Sequence, residues 1–276
     1  MRTVLRRHAA FTLLELVVVV TILVILAAGI IAKLDVFQLR ANKGVAASDM
    51  AGVSRLMQTY VVANNRYPNG FDSLIDPTTS ELWGDSFVGV PVAPQGTLDP
   101  QLIAGTSSTH QKLHQTTLTA GEVNSLGRMG VATLYDLDVT STSLPSNRFS
   151  LARAIATGGP VAEINSALND PSLTTGTDGD ADAIMHQLYP QTNGVPPSGT
   201  RVLVFGLGPR CDLVGRSGLM QEAPMYANSA NKTVYYARDL VCFEVSDGGS
   251  RARFLASLGA DADRLDEELS EFYEIQ

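Results

Sequence analysis

The chain has 276 residues, room for one or two domains. Its 28 acidic residues outnumber 20 basic ones, and the resulting formal charge of −8 excludes the basic footprint of a nucleic-acid binder. Two cysteines, with no CxxC and no Cys/His ligand spacing, exclude a structural zinc site.

The first element is an apolar run. From Leu13 to Ala32 only Glu15 is charged, and about 20 such residues suffice to cross a bilayer as a helix. Three readings compete. Arg2, Arg6 and Arg7 before the run, and Ala27-Ala28-Gly29 near its end, fit a secretory signal peptide, but the run exceeds the usual apolar core of about 7–15 residues. A plain membrane anchor fits the length, with a modest bias toward a cytoplasmic N-terminus. Neither reading explains a carboxylate inside the run, where it costs roughly 2.5–3.5 kcal/mol at the bilayer centre and less near the edge.

The third reading does. Ala10-Phe11-Thr12-Leu13-Leu14-Glu15 resembles the cleavage and methylation motif of type IV prepilins and type II secretion pseudopilins. The resemblance implies that residues 1–10 are a leader removed by a prepilin peptidase. Cleavage falls between Ala10 and Phe11, Phe11 is N-methylated, and Glu15 is the fifth mature residue. Cleavage creates an ammonium group at Phe11 that enters an apolar filament core on assembly. A carboxylate from a neighbouring subunit's Glu15 offsets the cost of burying that charge and fixes axial register. Two departures stand out: Ala10 replaces the family's usual glycine, and no proline occurs before Pro68. The partners implied are the peptidase, other pilin or pseudopilin subunits and the inner membrane, crossed once, with the C-terminal part exported to the periplasm or cell surface. The rival is a signal-anchored exported enzyme or binding domain.

Helical periodicity continues through Phe37, Ala41, Ala46, Met50, Val53, Met57 and Tyr60, with Arg40, Lys43, Asp49 and Arg55 between them. The pattern predicts one helix from Phe11 to Asn64, about 80 Å if unbroken: filament and membrane helix over 11–33, amphipathic helix over 34–65. Asn64, Asn65, Pro68 and Gly70 end it, and such a Tyr-Pro exit also resembles the pseudopilins.

Residues 66–199 read as a variable, loop-rich region. Within it a capping box at Thr119–Glu122 opens a short helix to about Gly127, Val131–Val139 alternates as a strand, and Arg148–Thr157 reads as a helix. Asp178, Asp180 and Asp182 alternate on what reads as an acidic loop, a candidate calcium site lacking the EF-hand glycine and glutamate. His110 and His114 are spaced as a helical pair. Residues 200–276 read as β-rich, with strands at Thr200–Gly208 and Thr233–Val245 and a solvated acidic helix or tail over Asp261–Gln276. Cys211 and Cys242 are either a disulfide of an exported domain or two buried thiols. The predicted fold is α+β: a long N-terminal helix packed on an antiparallel sheet, with a large insertion, no catalytic set and no required cofactor.

Overall fold

The computed structural model describes residues 13–76, 80, 82, 112–138, 140, 141, 143, 147–173, 179–216, 218–225 and 236–274, without the side chains of 29–33, 35 and 39. Helix α1 runs unbroken over Leu13–Asn64. Asn65 ends it in the left-handed region at φ 54° while its N–H bonds the Val61 carbonyl at 2.7 Å, the helix stop that asparagine tolerates better than most residues.

The fold is α+β, as the pattern predicts. The strands are β1 (Phe71–Asp72), β2 (Leu113–Thr117), β3 (Thr133–Leu137), β4 (Phe149–Ala154), β5 (Pro160–Ile164), β6 (Thr200–Gly206), β7 (Leu240–Ser246) and β8 (Arg253–Leu258). They form one eight-stranded sheet. β6 pairs along its full length with β7, which pairs with β8. Its other edge is shared: β5, and through it β2, joins at Leu203 and Val204, while β1 joins at Gly206 and leads to β3 and β4. The sheet is mixed rather than wholly antiparallel, because β1 and β3 run parallel. Strands β1–β5 come from the stretch that reads as loop-rich; β3 is the strand read at Val131–Val139, while the other four are short and partly polar, so their alternation is faint.

Period-2 alternation splits the core into two layers. Leu203, Phe205, Val241, Phe243 and Val245 face one way and meet Val53, Met57 and Tyr60 of α1. Phe243 is the hub of this layer, with the rings of Tyr67, Phe71, Phe254 and Phe205 at 5.1 to 6.0 Å. Val202, Val204, Leu240 and Cys242 face the other way and meet Ala181, Ile184 and Met185 of helix α3 (Gly179–Leu188). Helix α2 (Ala120–Gly127) opens with the predicted capping box: Thr119 N–H donates to Glu122 Oε2 at 2.8 Å, and Glu122 N–H to Thr119 Oγ1 at 3.2 Å.

Two local expectations are corrected. The segment read as a helix at Arg148–Thr157 is strand β4, paired with β3 from Thr133↔Ala154 to Leu137↔Phe149. Its Ala, Leu and Arg favour a helix, but tertiary pairing overrides that propensity; Arg153 pins it, its Nε 2.8 Å from Asp136 Oδ2 and its Nη2 donating to Ser73 Oγ at 3.0 Å. The acidic C-terminus does form a helix, α4 (Leu265–Glu274), but Asp261, Asp263 and Glu268 are buried rather than solvated.

Where β1 meets β6, Asp72 is fully buried and accepts from the Tyr236 hydroxyl at 2.8 Å. Burial pushes this carboxyl well above its ordinary range, against the Tyr236 hydrogen bond and the charges of Arg238 and Arg210. Gly208 is required beside it, since a Cβ there would lie 1.9 Å from Asp72 Oδ1. Gly208→Ala is therefore expected to destabilise the fold by about 1–3 kcal/mol, seen as a lowered melting temperature of the full chain in detergent. Gly127→Ala, whose added Cβ meets nothing within 4 Å, serves as the control and should not lower it.

Candidate functional site: the exposed half of the long helix

Every described side chain from Leu13 to Ala28 is exposed, including Leu13 at 82%, Leu14 at 74% and Ile25 at 66%. Runs of exposed apolar surface this size mark interaction with a membrane or with other proteins. Val17–Val20 is β-branched and weakly helical by propensity, yet the helix is continuous. Thr21 satisfies its hydroxyl internally, donating to the Val17 carbonyl at 2.8 Å. Glu15 lies in the first turn, where the helix dipole favours a negative charge. Among the described residues, no helix is long and apolar enough to cross a membrane. The described apolar side chains, Leu13 to Ala28, make about 24 Å of helix against roughly 30 Å of hydrocarbon.

The second half of α1 is anchored in the globular head. Ser257 of β8 donates to the Met50 carbonyl at 2.7 Å and lies 3.0 Å from Ser54 Oγ. The buried stripe differs from the predicted one at its start. Phe37 is 64% exposed and Ala41 is exposed, while Lys43, read as lying off the stripe, is buried. Lys43 pairs with Glu268 at 3.4 Å and with Glu271. Lys112, before β2, meets Asp263 at 2.7 Å. Burial alone would lower the Lys112 pKa, but Asp263 beside it outweighs this and raises it. The carboxylates of Asp261, Asp263 and Glu268 lie within 4.8 Å of one another, and these lysines bring positive charge to them. Sequence reasoning missed this network. Its one signal was the spacing of Lys43 to Ala46, Ala47 and Met50, which sets a lysine on a buried helical face.

The other predicted site residues are dispersed. Ala10 and Phe11 lie outside the described residues, as do Asp178 and His110. Asp180 and Asp182 lie in the first turn of α3 rather than on a loop, and residues two apart on a helix do not face each other. Asp182 accepts from Ser166 Oγ at 2.5 Å. His114 is on strand β2, its Nδ1 3.2 Å from Glu163 Oε1. Cys211 and Cys242 are free and buried, one in each core layer on opposite faces of the sheet.

The first 31 residues carry a recognisable motif. Residues 5–31 match the model of the prokaryotic N-terminal methylation motif. A stretch of 78 residues is 37% identical to Type II secretion system core protein G of Aeromonas hydrophila, covering 27% of this chain and 54% of that protein. The N-terminal region carries a prepilin-type methylation motif. Type IV pilins and pseudopilins are structural subunits, not enzymes. The chain spans about half the length of the curated relative it matches. No solved structure matches it.

The chain places its two thiols in apolar layers, and burial pushes the Cys242 thiol up to about 12 and Cys211 higher still. Two outcomes are expected in thiol counting by mass spectrometry: no alkylation of the native chain at pH 8, and alkylation of both cysteines after unfolding without reductant. A bridged pair would resist the second treatment.

Proposed function

We propose that the chain is a prepilin-type precursor of a structural subunit that assembles through α1 into a type II secretion pseudopilus or type IV pilus. The observation that carries this reading is the exposed apolar half of α1, bearing Glu15 near its start and continuous with a half anchored in the head. The motif match over residues 5–31 lies on that same segment. The name of the matched relative favours the secretion assembly.

A prepilin peptidase removes residues 1–10 and methylates Phe11. Residues 11–33 sit in the inner membrane, the undescribed side chains of 29–32 bringing the apolar run to membrane-spanning length, and the head is exported. On assembly the apolar helices pack together, and Glu15 of one subunit takes the Phe11 ammonium of the next. In that low-dielectric core an unpaired ammonium is costly and a paired one specifies register.

Mass spectrometry of the mature chain tests the processing, with an N-terminus at N-methylated Phe11 expected. A start near Ala28 or Gly29 would show signal-peptide cleavage and support the exported-enzyme rival. Glu15→Leu is expected to be processed normally but to give little shear-released or crosslinked filament relative to processed subunit, with Glu15→Asp intermediate. Wild-type assembly by Glu15→Leu would refute the role given to this carboxylate.

A further inference from the structure

The C-terminal segment lies along α1 between Arg40 and Ala46. Phe272 of α4 packs on Gly44, where a Cβ would come within 3.2 Å of the ring, and the Arg40 guanidinium lies over the same ring at 4.7 Å. Ala260 packs on Ala46. Lys43 reaches Glu268, Glu271 and, at 3.9 Å, Asp263. Lys112 approaches from the β2 side, donating to Asp263 Oδ1 at 2.7 Å and to the Asp261 carbonyl at 3.1 Å. Ten-residue α4 is too short to persist as an isolated helix in water, so its order depends on this seat.

Acidic groups outnumber basic ones in the seat. Lys43 and Lys112 face Asp261, Asp263, Glu268 and Glu271, with Asp49 of α1 and Asp239, just before β7, behind them. Arg238 acts on Asp239 from one side, and Arg264 is taken up by Asp266 and Glu267 at the outer face of α4. Asp239 Oδ2 is buried with no hydrogen-bond partner among the described residues. Burial, then the nearby Asp49, Asp261 and Glu268, push the Asp239 carboxyl well up. Burial and Asp263 push Asp261 up to about 7. The Asp261 carboxyl is therefore raised from 3.8 in the undocked chain to about 7 in the docked one. Its contribution to docking is fully present below the undocked value and is lost as pH rises through the docked one.

We propose that residues 259–274 form a proton-sensitive latch that fastens α1 between Arg40 and Ala46 to the head, closed in mildly acidic conditions and loosened above neutrality. Release would add about 15 Å to the helix standing free of the head, moving the head's attachment from Arg40 toward Met50. The latch belongs to the single chain and does not rest on the assembly reading; its test gives the same answer whether or not filaments form.

The test is hydrogen–deuterium exchange of the full chain in detergent micelles at pH 5.5, 7 and 8.5, with rates corrected for intrinsic exchange. Amides of α4 are the readout and those of β6 the internal reference. Protection of α4 is expected to fall roughly tenfold or more between pH 5.5 and 8.5 while β6 stays constant. Asp261→Asn, which keeps the oxygen that accepts from the Asp263 N–H at 3.3 Å, should keep α4 protected at pH 8.5. Lys43→Met should lose α4 protection at every pH with β6 intact. The latch is refuted by pH-independent α4 protection in the wild type, by wild-type behaviour of Asp261→Asn, or by unchanged protection in Lys43→Met. Loss of β6 protection in Lys43→Met would also refute it, making the network part of the core.

Discussion

One helix must satisfy two environments. Val53, Met57 and Tyr60 commit the second half of α1 to the sheet, each burial contributing about 1.5–3 kcal/mol before entropy is counted. The first half is not covered in the same way: its described side chains are exposed from Leu13 to Ala28. An unbroken helix joins the two, so the head holds the exposed half in a fixed direction rather than on a tether.

The sheet that takes the anchored half is itself covered on both faces. Strand β6 makes this possible by alternating Val202 and Val204 toward α3 with Leu203 and Phe205 toward α1. It also carries β5 and β1 on one edge. The close approach at that fork explains the Gly206-Leu207-Gly208 sequence: a Cβ at Gly206 would meet the Tyr236 hydroxyl at 2.1 Å, as one at Gly208 would meet Asp72. The polar pair at the fork lies inside an otherwise apolar layer, and its burial keeps the Asp72 carboxyl far up its titration range.

The sequence was most readable where one local signal sufficed. The length and stop of α1, the Thr119–Glu122 capping box, and strands β6 and β7 each follow from spacing or residue type within a dozen positions. Strand β4 was not legible, because its Ala, Leu and Arg favour a helix and only pairing with β3 decides otherwise. The inner face of the acidic C-terminus was hidden for a related reason. Seven carboxylates in sixteen residues read as solvated, and the cations that accompany three of them indoors, Lys43 and Lys112, lie some 225 and 150 positions away. Of the candidate site, Glu15 and its apolar setting were visible at once, whereas the anchorage that gives the helix its direction depends on distant strands.

The bond from Ser257 to the Met50 carbonyl spans 207 positions. A ribosome therefore delivers the apolar helix first and the strands that seat its second half almost last. Throughout that interval the stripe of Val53, Met57 and Tyr60 has no finished sheet to meet, and non-local pairing of this kind is slow. The exposed half can find its own apolar surroundings long before the head exists. Folding of the head thus waits on the last quarter of the chain, which must find a helix made long before it.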